Sequence, residues 1–208
     1  MPDVELILDG TRYACTLAAE PEPDGAPWRD IRDEMPTNLH PDASRLIEGR
    51  GGWWKRTPDQ IDGITIHHTL SHNPYATAAF ITKPTAQGGK GHATTQYHIW
   101  ITAEGEALYC VDLTEGLWHD HCGDLNTHVS IGMAGSLHIA RPPIVELEKA
   151  AQVVAYLMDR FEIEASHVAG HNDWALMGSN VKTVCPGWDR AGWRSAFYEA
   201  LAAMVARG

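Results

Sequence analysis

The chain has no basic excess: 16 Lys and Arg stand against 27 Asp and Glu, a formal charge of −11. A nucleic-acid binder must neutralise phosphates with a basic face, so nucleic acid is not an expected partner. Anionic membrane surfaces are disfavoured for the same reason. None of the four cysteines, Cys15, Cys110, Cys122 and Cys185, forms a CxxC pair, which excludes a zinc ribbon or a thioredoxin-like motif. Four cysteines in a chain this long do not demand disulfides, and a mixed Cys/His metal site stays open. No apolar run approaches the ~20 residues that cross a bilayer. The first residues, MPDVELILDG, lack a basic stretch and a long apolar stretch. No secretory signal is therefore expected, and cytoplasmic synthesis is. Internal repeats and low-complexity tracts are missing too. Phenylalanine is scarce, with 3 residues, whereas histidine is abundant, with 12. Histidine is the commonest metal ligand and the usual proton shuttle near pH 7, so the excess raises metal or acid–base chemistry.

The 208 residues are 44% hydrophobic and 21% charged, the balance of a folded globular chain. Residues 4–8 (VELIL) and 12–17 (RYACTL) are β-prone runs around Asp9-Gly10, a hairpin signal. Residues 20–44 carry Pro21, Pro23, Gly25, Pro27, Pro36 and Pro41 with little periodicity and read as an extended surface arm. GRGG at 49–52 punctuates again. The expected organisation is an N-terminal appendage over 1–52 and one folded domain over 53–208.

From Ile61 the pattern tightens. Gly63–His67 reads as a buried strand, 74–82 as a short helix and 83–95 as a Gly-rich loop. Gln96–Ile101 and Glu106–Val111 read as strands joined by Ala103-Glu104-Gly105, with a further strand at Val129–Ala134. Ile144, Leu147, Ala151, Val154, Leu157, Met158 and Phe161 recur at helical spacing over 144–161, behind Pro142 and Pro143. Trp193, Phe197, Leu201 and Met204 mark a second amphipathic helix over 190–205. The expected fold is α/β: a mixed central sheet flanked by helices, with an N-terminal hairpin and extended appendage.

Three segments carry chemistry. ITIHHT (64–69) ends a strand in two histidines, at the kind of place where α/β sheets build sites. GHNDW (170–174) offers a further histidine, and TVCPG (183–187) a cysteine. Zinc accepts N and S ligands tetrahedrally, and three protein ligands leave a fourth position for water. Such a metal polarises a carbonyl and lowers the water's pKa towards ~7. Strand side chains alternate faces, so only one of His67 and His68 is expected to point into a site. The 14-residue step from His171 to Cys185 is too long for a helical pair, so the cysteine must arrive on a loop that folds back.

In order along the chain stand ITIHHT (64–69), TTQYHIWITAEGEALY (94–109), WHDHCGDLNTHVSIGMAG (118–135), AGHNDW (169–174) and TVCPG (183–187). This series resembles the zinc-dependent N-acetylmuramoyl-L-alanine amidases, the family shared by phage amidase lysozymes and peptidoglycan-recognition proteins. The resemblance covers roughly residues 60–200. It implies His67, His171 and Cys185 as zinc ligands. It implies Tyr97 as a contact for the water on the metal or for the developing oxyanion. Thr183 falls where members carry Lys or Thr, with Lys182 beside it as the competing candidate. His121, with Gly123 and Asn126, resembles the family's groove wall, so His121 and Asn126 are expected to contact substrate. The implied reaction is hydrolysis of the amide between the muramic lactyl group and L-alanine. The implied partner is bacterial peptidoglycan or a muropeptide.

Plainer roles stand beside these. Tyr97 also reads as an ordinary strand aromatic. His68 suits packing or support of a ligand, and His119 with His121 (HDH) is a weak metal pattern. Cys110 suits buried apolar filling, and nothing local tests a Cys15–Cys122 pair. Trp53, Trp54, Trp100, Trp118 and Trp174 line a sugar groove or, more ordinarily, a core. Asp173 either orients an imidazole or caps a turn. Without a signal segment the chain reads as a phage or prophage endolysin, reaching the wall through a membrane lesion. A cytoplasmic amidase recycling released muropeptides is the alternative. A non-catalytic peptidoglycan-binding module is the competitor from another class, weakened because recognition members lack the cysteine that Cys185 supplies. A structural zinc site would need four ligands, and three are evident.

Overall fold

The computed structural model describes residues 4–8, 11–15, 25–38, 54–117, 119, 127–178 and 182–206. The elements in chain order are β1 (Val4–Leu8), β2 (Thr11–Cys15), β3 (Arg29–Asp30), β4 (Trp54–Lys55), β5 (Gly63–His68) and α1 (Pro74–Thr82). Then come β6 (Ile99–Ile101), β7 (Ala107–Tyr109), β8 (Glu115–Gly116), β9 (His128–Met133) and α2 (Ile144–Phe161). The chain finishes with β10 (Val168–Gly170), α3 (His171–Gly178), α4 (Trp188–Ala191) and α5 (Arg194–Val205). The first two strands form an antiparallel hairpin, with Leu8 opposite Thr11.

Six strands make the central sheet, in the order β10-β5-β9-β6-β7-β3. Strands β10, β5, β9 and β6 run parallel, with Gly170 beside Ile66 and His67 beside Gly132. Strand β7 then turns back antiparallel to β6, and β3 follows parallel to β7. The β6–β7 reversal needs a residue at positive φ, and Gly105 supplies it at +82° while its N–H closes the turn on the Thr102 carbonyl. The sheet is therefore mixed, with helices on it, as the alternation of strand and helix patterns leads one to expect.

Side chains on a strand alternate faces. One face collects Ile64 and Ile66, Ile99 and Ile101, and Val129, Ile131 and Met133. Helices α2 and α5 cover it through Leu147, Ala150, Ala151, Val154, Leu157, Phe197 and Leu201, all buried. The α2 stripe recurs every three or four residues, and the helix stops at Glu162, which takes a left-handed conformation. Each buried Ile or Leu here contributes about 1.5–3 kcal/mol. The opposite face carries Thr65, His67, Trp100, His128 and Ser130, the residues between the isoleucines. A smaller apolar cluster covers its far end, where Trp100, Leu108 and Cys110 meet Ala78 of α1.

The arm expected on the surface over 20–44 behaves otherwise where it is described. Residues 25–38 place β3 at the sheet edge and bury Ala26, Trp28, Ile31 and Met35. Pairing with β7 and apolar contact decide its place, and its prolines reveal neither. Two further strand expectations shorten: β6 begins at Ile99 and β7 ends at Tyr109, the flanking residues being extended or turning. No helix among the described residues is long and apolar enough to cross a membrane.

Candidate metal centre

Two neighbouring parallel strands deliver two histidines to one place. His67 is next to last in β5, and His171 follows β10 directly as the first residue of α3. The third donor comes back on the loop before α4. The Asn172 N–H donates to the Cys185 carbonyl at 2.6 Å, which fixes that loop against α3. Gly170 lets it close: a Cβ there would lie 2.5 Å from Pro186 and 2.7 Å from Trp188. The Thr183 hydroxyl accepts from the Cys185 N–H at 3.1 Å, and the His68 N–H points at Cys185 Sγ at 3.3 Å.

The result is a compact donor set. One ligand atom from each of His67, His171 and Cys185 lies within 4.8 Å of the others, and all three residues are buried. His67 Nδ1 sits 3.6 Å from Cys185 Sγ. A tetrahedral centre with bonds of about 2.0 Å to nitrogen and 2.3 Å to sulfur has an N–S edge of roughly 3.5 Å. The His67–Cys185 pair thus stands at the edge length of such a centre, with His171 within 4.8 Å of both, a three-donor set that leaves a fourth position over.

Burial tunes the surrounding groups. It pushes the Cys185 thiol up to about 12, against the opposing pull of the His68 backbone. Burial also lowers His68 to about 4, reinforced by His138 and His171, while the Pro186 backbone pulls the other way. Tyr97 is held far above the usual phenol range, first by burial and then by the nearby Cys185. Both effects favour the neutral phenol.

The remaining candidates divide. The Tyr97 ring lies 5.8 Å from that of His67 and stacks edge-on against Trp100. Gly132 makes room for it, since a Cβ there would approach the Tyr97 ring to 2.8 Å. Thr183 is half-buried beside Cys185, whereas Lys182 is exposed. His121, Asn126 and Gly123 lie outside the described residues, as do Trp53, Trp118, Cys122 and the side chain of Cys15. Asp173 caps: its carboxylate accepts from the Gly170 N–H at 2.9 Å and pairs with Arg194. Trp100 and Trp174 are buried, and Cys110 is a buried free thiol.

His68 does not join the donors; its ring lies against that of His138, 5.0 Å away. His119, weighed in sequence only as part of a weak HDH pattern, is buried against His67 with 3.1 Å between His67 Nε2 and His119 Nδ1. Sequence reasoning also passed over His98. It accepts from the Ser130 N–H through Nδ1 at 2.9 Å and meets the Glu115 carbonyl through Nε2 at 2.8 Å. Arg56 braces the same region by donating to the Leu113 and His128 carbonyls. His98 falls two residues before Trp100 in the expected strand Gln96–Ile101, and alternation along it is the signal for its face.

The profile of the N-acetylmuramoyl-L-alanine amidase family matches residues 57–188. No curated protein matches the chain in sequence. Among solved structures, the chain is similar to Drosophila PGRP-LB, with TM-score 0.54 and 17% identity over 80% of this chain and 92% of that one. It is similar to the PlyG catalytic domain, with TM-score 0.53 and 19% identity over 81% and 94%. It is also similar to the N-acetylmuramoyl-L-alanine amidase LysC from Clostridium intestinale URNW, with TM-score 0.51 and 18% identity over 73% and 91%. At these identities the structural likenesses speak for the fold.

Proposed function

The chain belongs to the N-acetylmuramoyl-L-alanine amidase family, and from that premise we propose that it hydrolyses the lactyl amide of peptidoglycan with zinc held by His67, His171 and Cys185. The observation that carries this reading is the buried His/His/Cys set within 4.8 Å, built from two adjacent strand ends and a returning loop. Bound zinc supplies Lewis-acid polarisation of the scissile carbonyl and acidifies water for attack on it.

The chain's own residues do the rest. Tyr97, kept neutral by burial, donates to the oxygen that gains charge as the carbonyl becomes tetrahedral. The Thr183 hydroxyl accepts from the Cys185 N–H and so keeps its own proton to donate, which makes it the better placed of the 182–183 pair. Lys182, exposed beside it, is the competing candidate. Water adds to the lactyl carbonyl carbon, the C–N bond breaks, and the products are a lactyl carboxylate and the free amine of L-alanine.

We assign the assembled wall as substrate, as for an endolysin. The test is digestion of purified sacculi, with mass spectrometry of the released stem peptides and metal analysis of the protein. Stem peptides with a free N-terminal alanine and about one zinc per chain are the expected result. Metal without release would overturn the enzyme assignment. Turnover of soluble muropeptides with no effect on sacculi would move the activity to recycling.

A further inference from the structure

His67 has two ring nitrogens, and the fold uses them differently. Nδ1 faces Cys185 Sγ at 3.6 Å, inside the donor set. Nε2 faces the other way and meets His119 Nδ1 at 3.1 Å. The two rings stand nearly perpendicular, at 87° with centroids 5.2 Å apart. His119 is buried, and His98 lies behind it with ring centroids 6.5 Å apart.

We propose that His119 is a positioning residue: it accepts the Nε2–H of His67 and thereby presents the Nδ1 lone pair of His67 to the metal. This rests on the zinc reading of the donor set. The reasoning is a count of protons. Two nitrogens at hydrogen-bond distance share one proton between them. A metal ligand atom must offer a lone pair, so the proton of His67 resides on Nε2. His119 Nδ1 is then the acceptor, and its own proton sits on Nε2. The reverse arrangement, with His119 Nδ1 as donor, would put a proton on His67 Nδ1 and close it to metal.

Ligating histidines commonly hand their second N–H to a carboxylate or carbonyl, and losing that partner costs about 10–100-fold in metal affinity. Here a second imidazole takes the role. It orients the ring without bringing a negative charge beside the thiolate. The choice of atom matters, which gives the test its edge. Asparagine places an oxygen close to where Nδ1 of histidine lies, whereas glutamine reaches to the Nε2 position. His119→Asn retains the acceptor that His67 needs, and His119→Gln misplaces it.

Zinc dissociation constants would be measured by chelator competition for the wild type, His119→Ala, His119→Asn and His119→Gln, alongside melting curves of the metal-free proteins. His119→Ala and His119→Gln are expected to bind zinc about 10–100-fold more weakly, with His119→Asn within roughly 3-fold of the wild type. Metal-free melting should not follow that order. Wild-type protein gives an independent check that no variant's folding can spoil. Long-range 15N–1H spectra of the zinc-loaded form should show the His67 proton on Nε2. Unchanged zinc affinity in His119→Ala, or a His67 proton on Nδ1, would overturn the proposal alone. A wild type that binds no zinc would overturn the metal reading and this proposal with it.

Discussion

The two faces of the central sheet are written in alternate letters of the same strands. Towards α2 and α5 stand Ile64, Ile66, Val129, Ile131 and Met133, all fully buried. Towards the donor set stand Thr65, His67, His128 and Ser130, equally buried. The first face needs only close packing. The second must satisfy each polar group: Thr65 meets His128 at 3.0 Å, Ser130 donates to the Gln96 carbonyl, and His98 holds the Ser130 N–H. Buried polar groups with fixed partners hold fixed orientations, which a metal site requires. One face thus supplies mainly stability and the other mainly geometry.

The sharpest way to break this division is to remove a donor. His171→Ala takes one of the three donors proposed for zinc, and zinc affinity and kcat/KM are expected to fall on the order of 10³-fold or more. The metal-free protein should melt near the wild type, because His171 begins a helix and spans no core. Inductively coupled plasma analysis and differential scanning calorimetry read the two quantities separately. A metal-free variant that melted far below the metal-free wild type would show that the polar face carries stability as well.

Ile131→Ala is the converse, on the other side of β9. A buried Ile cut to Ala costs about 2–5 kcal/mol, visible as a lower denaturation midpoint. Zinc affinity of the folded fraction should hold, since Ile131 points away from the donors. If zinc affinity fell as well, the two faces would be coupled through the strand. Tyr97→Phe then probes the polar face without touching a ligand. Removing one positioned donor costs about 10²-fold in kcat. Zinc content and melting should stay as they were, because the ring keeps its contact with Trp100. A change in KM alone would turn Tyr97 into a substrate contact.

Sequence exposed these two faces unequally. The apolar one was legible, because its residues recur at strand and helix periods: α2 emerges over its full length from Ile144 to Phe161. The donors were legible as well, but through the order of five short motifs, since nothing local links His67 to a cysteine 118 residues away. Strand β10 stayed hidden because three residues show no period, and with it the reason His171 meets His67. Edge strand β3 stayed hidden because its partner, β7, lies far along the chain. His119 was hidden most of all. In a loop, i and i+2 carry no facing rule, so HDH could not say that its first histidine turns towards β5.

The smallest effect on activity comes from an exception on the apolar side. Glu146, in the first turn of α2, is fully buried, and neither carboxylate oxygen makes a well-formed hydrogen bond among the described residues. Burial pushes its pKa from 4.5 up to about 8; the Ala134 backbone opposes this and Glu104 adds to it. A folded pKa above the unfolded one means that the unfolded chain gives up its proton first as pH rises. Between about 4.5 and 8 the folded state therefore binds more protons, and stability falls with rising pH. The loss is complete above pH 8. Glu146→Gln removes that proton linkage while keeping the shape. It should match the wild type within about 1 kcal/mol at pH 5. At pH 9 it should be the more stable by about 4 kcal/mol, with kcat unchanged throughout. Chemical denaturation at both pH values measures the difference. A gap that stayed constant from pH 5 to pH 9 would show that Glu146 does not take up a proton on folding. The apolar face would then tolerate a charge that its packing should expel.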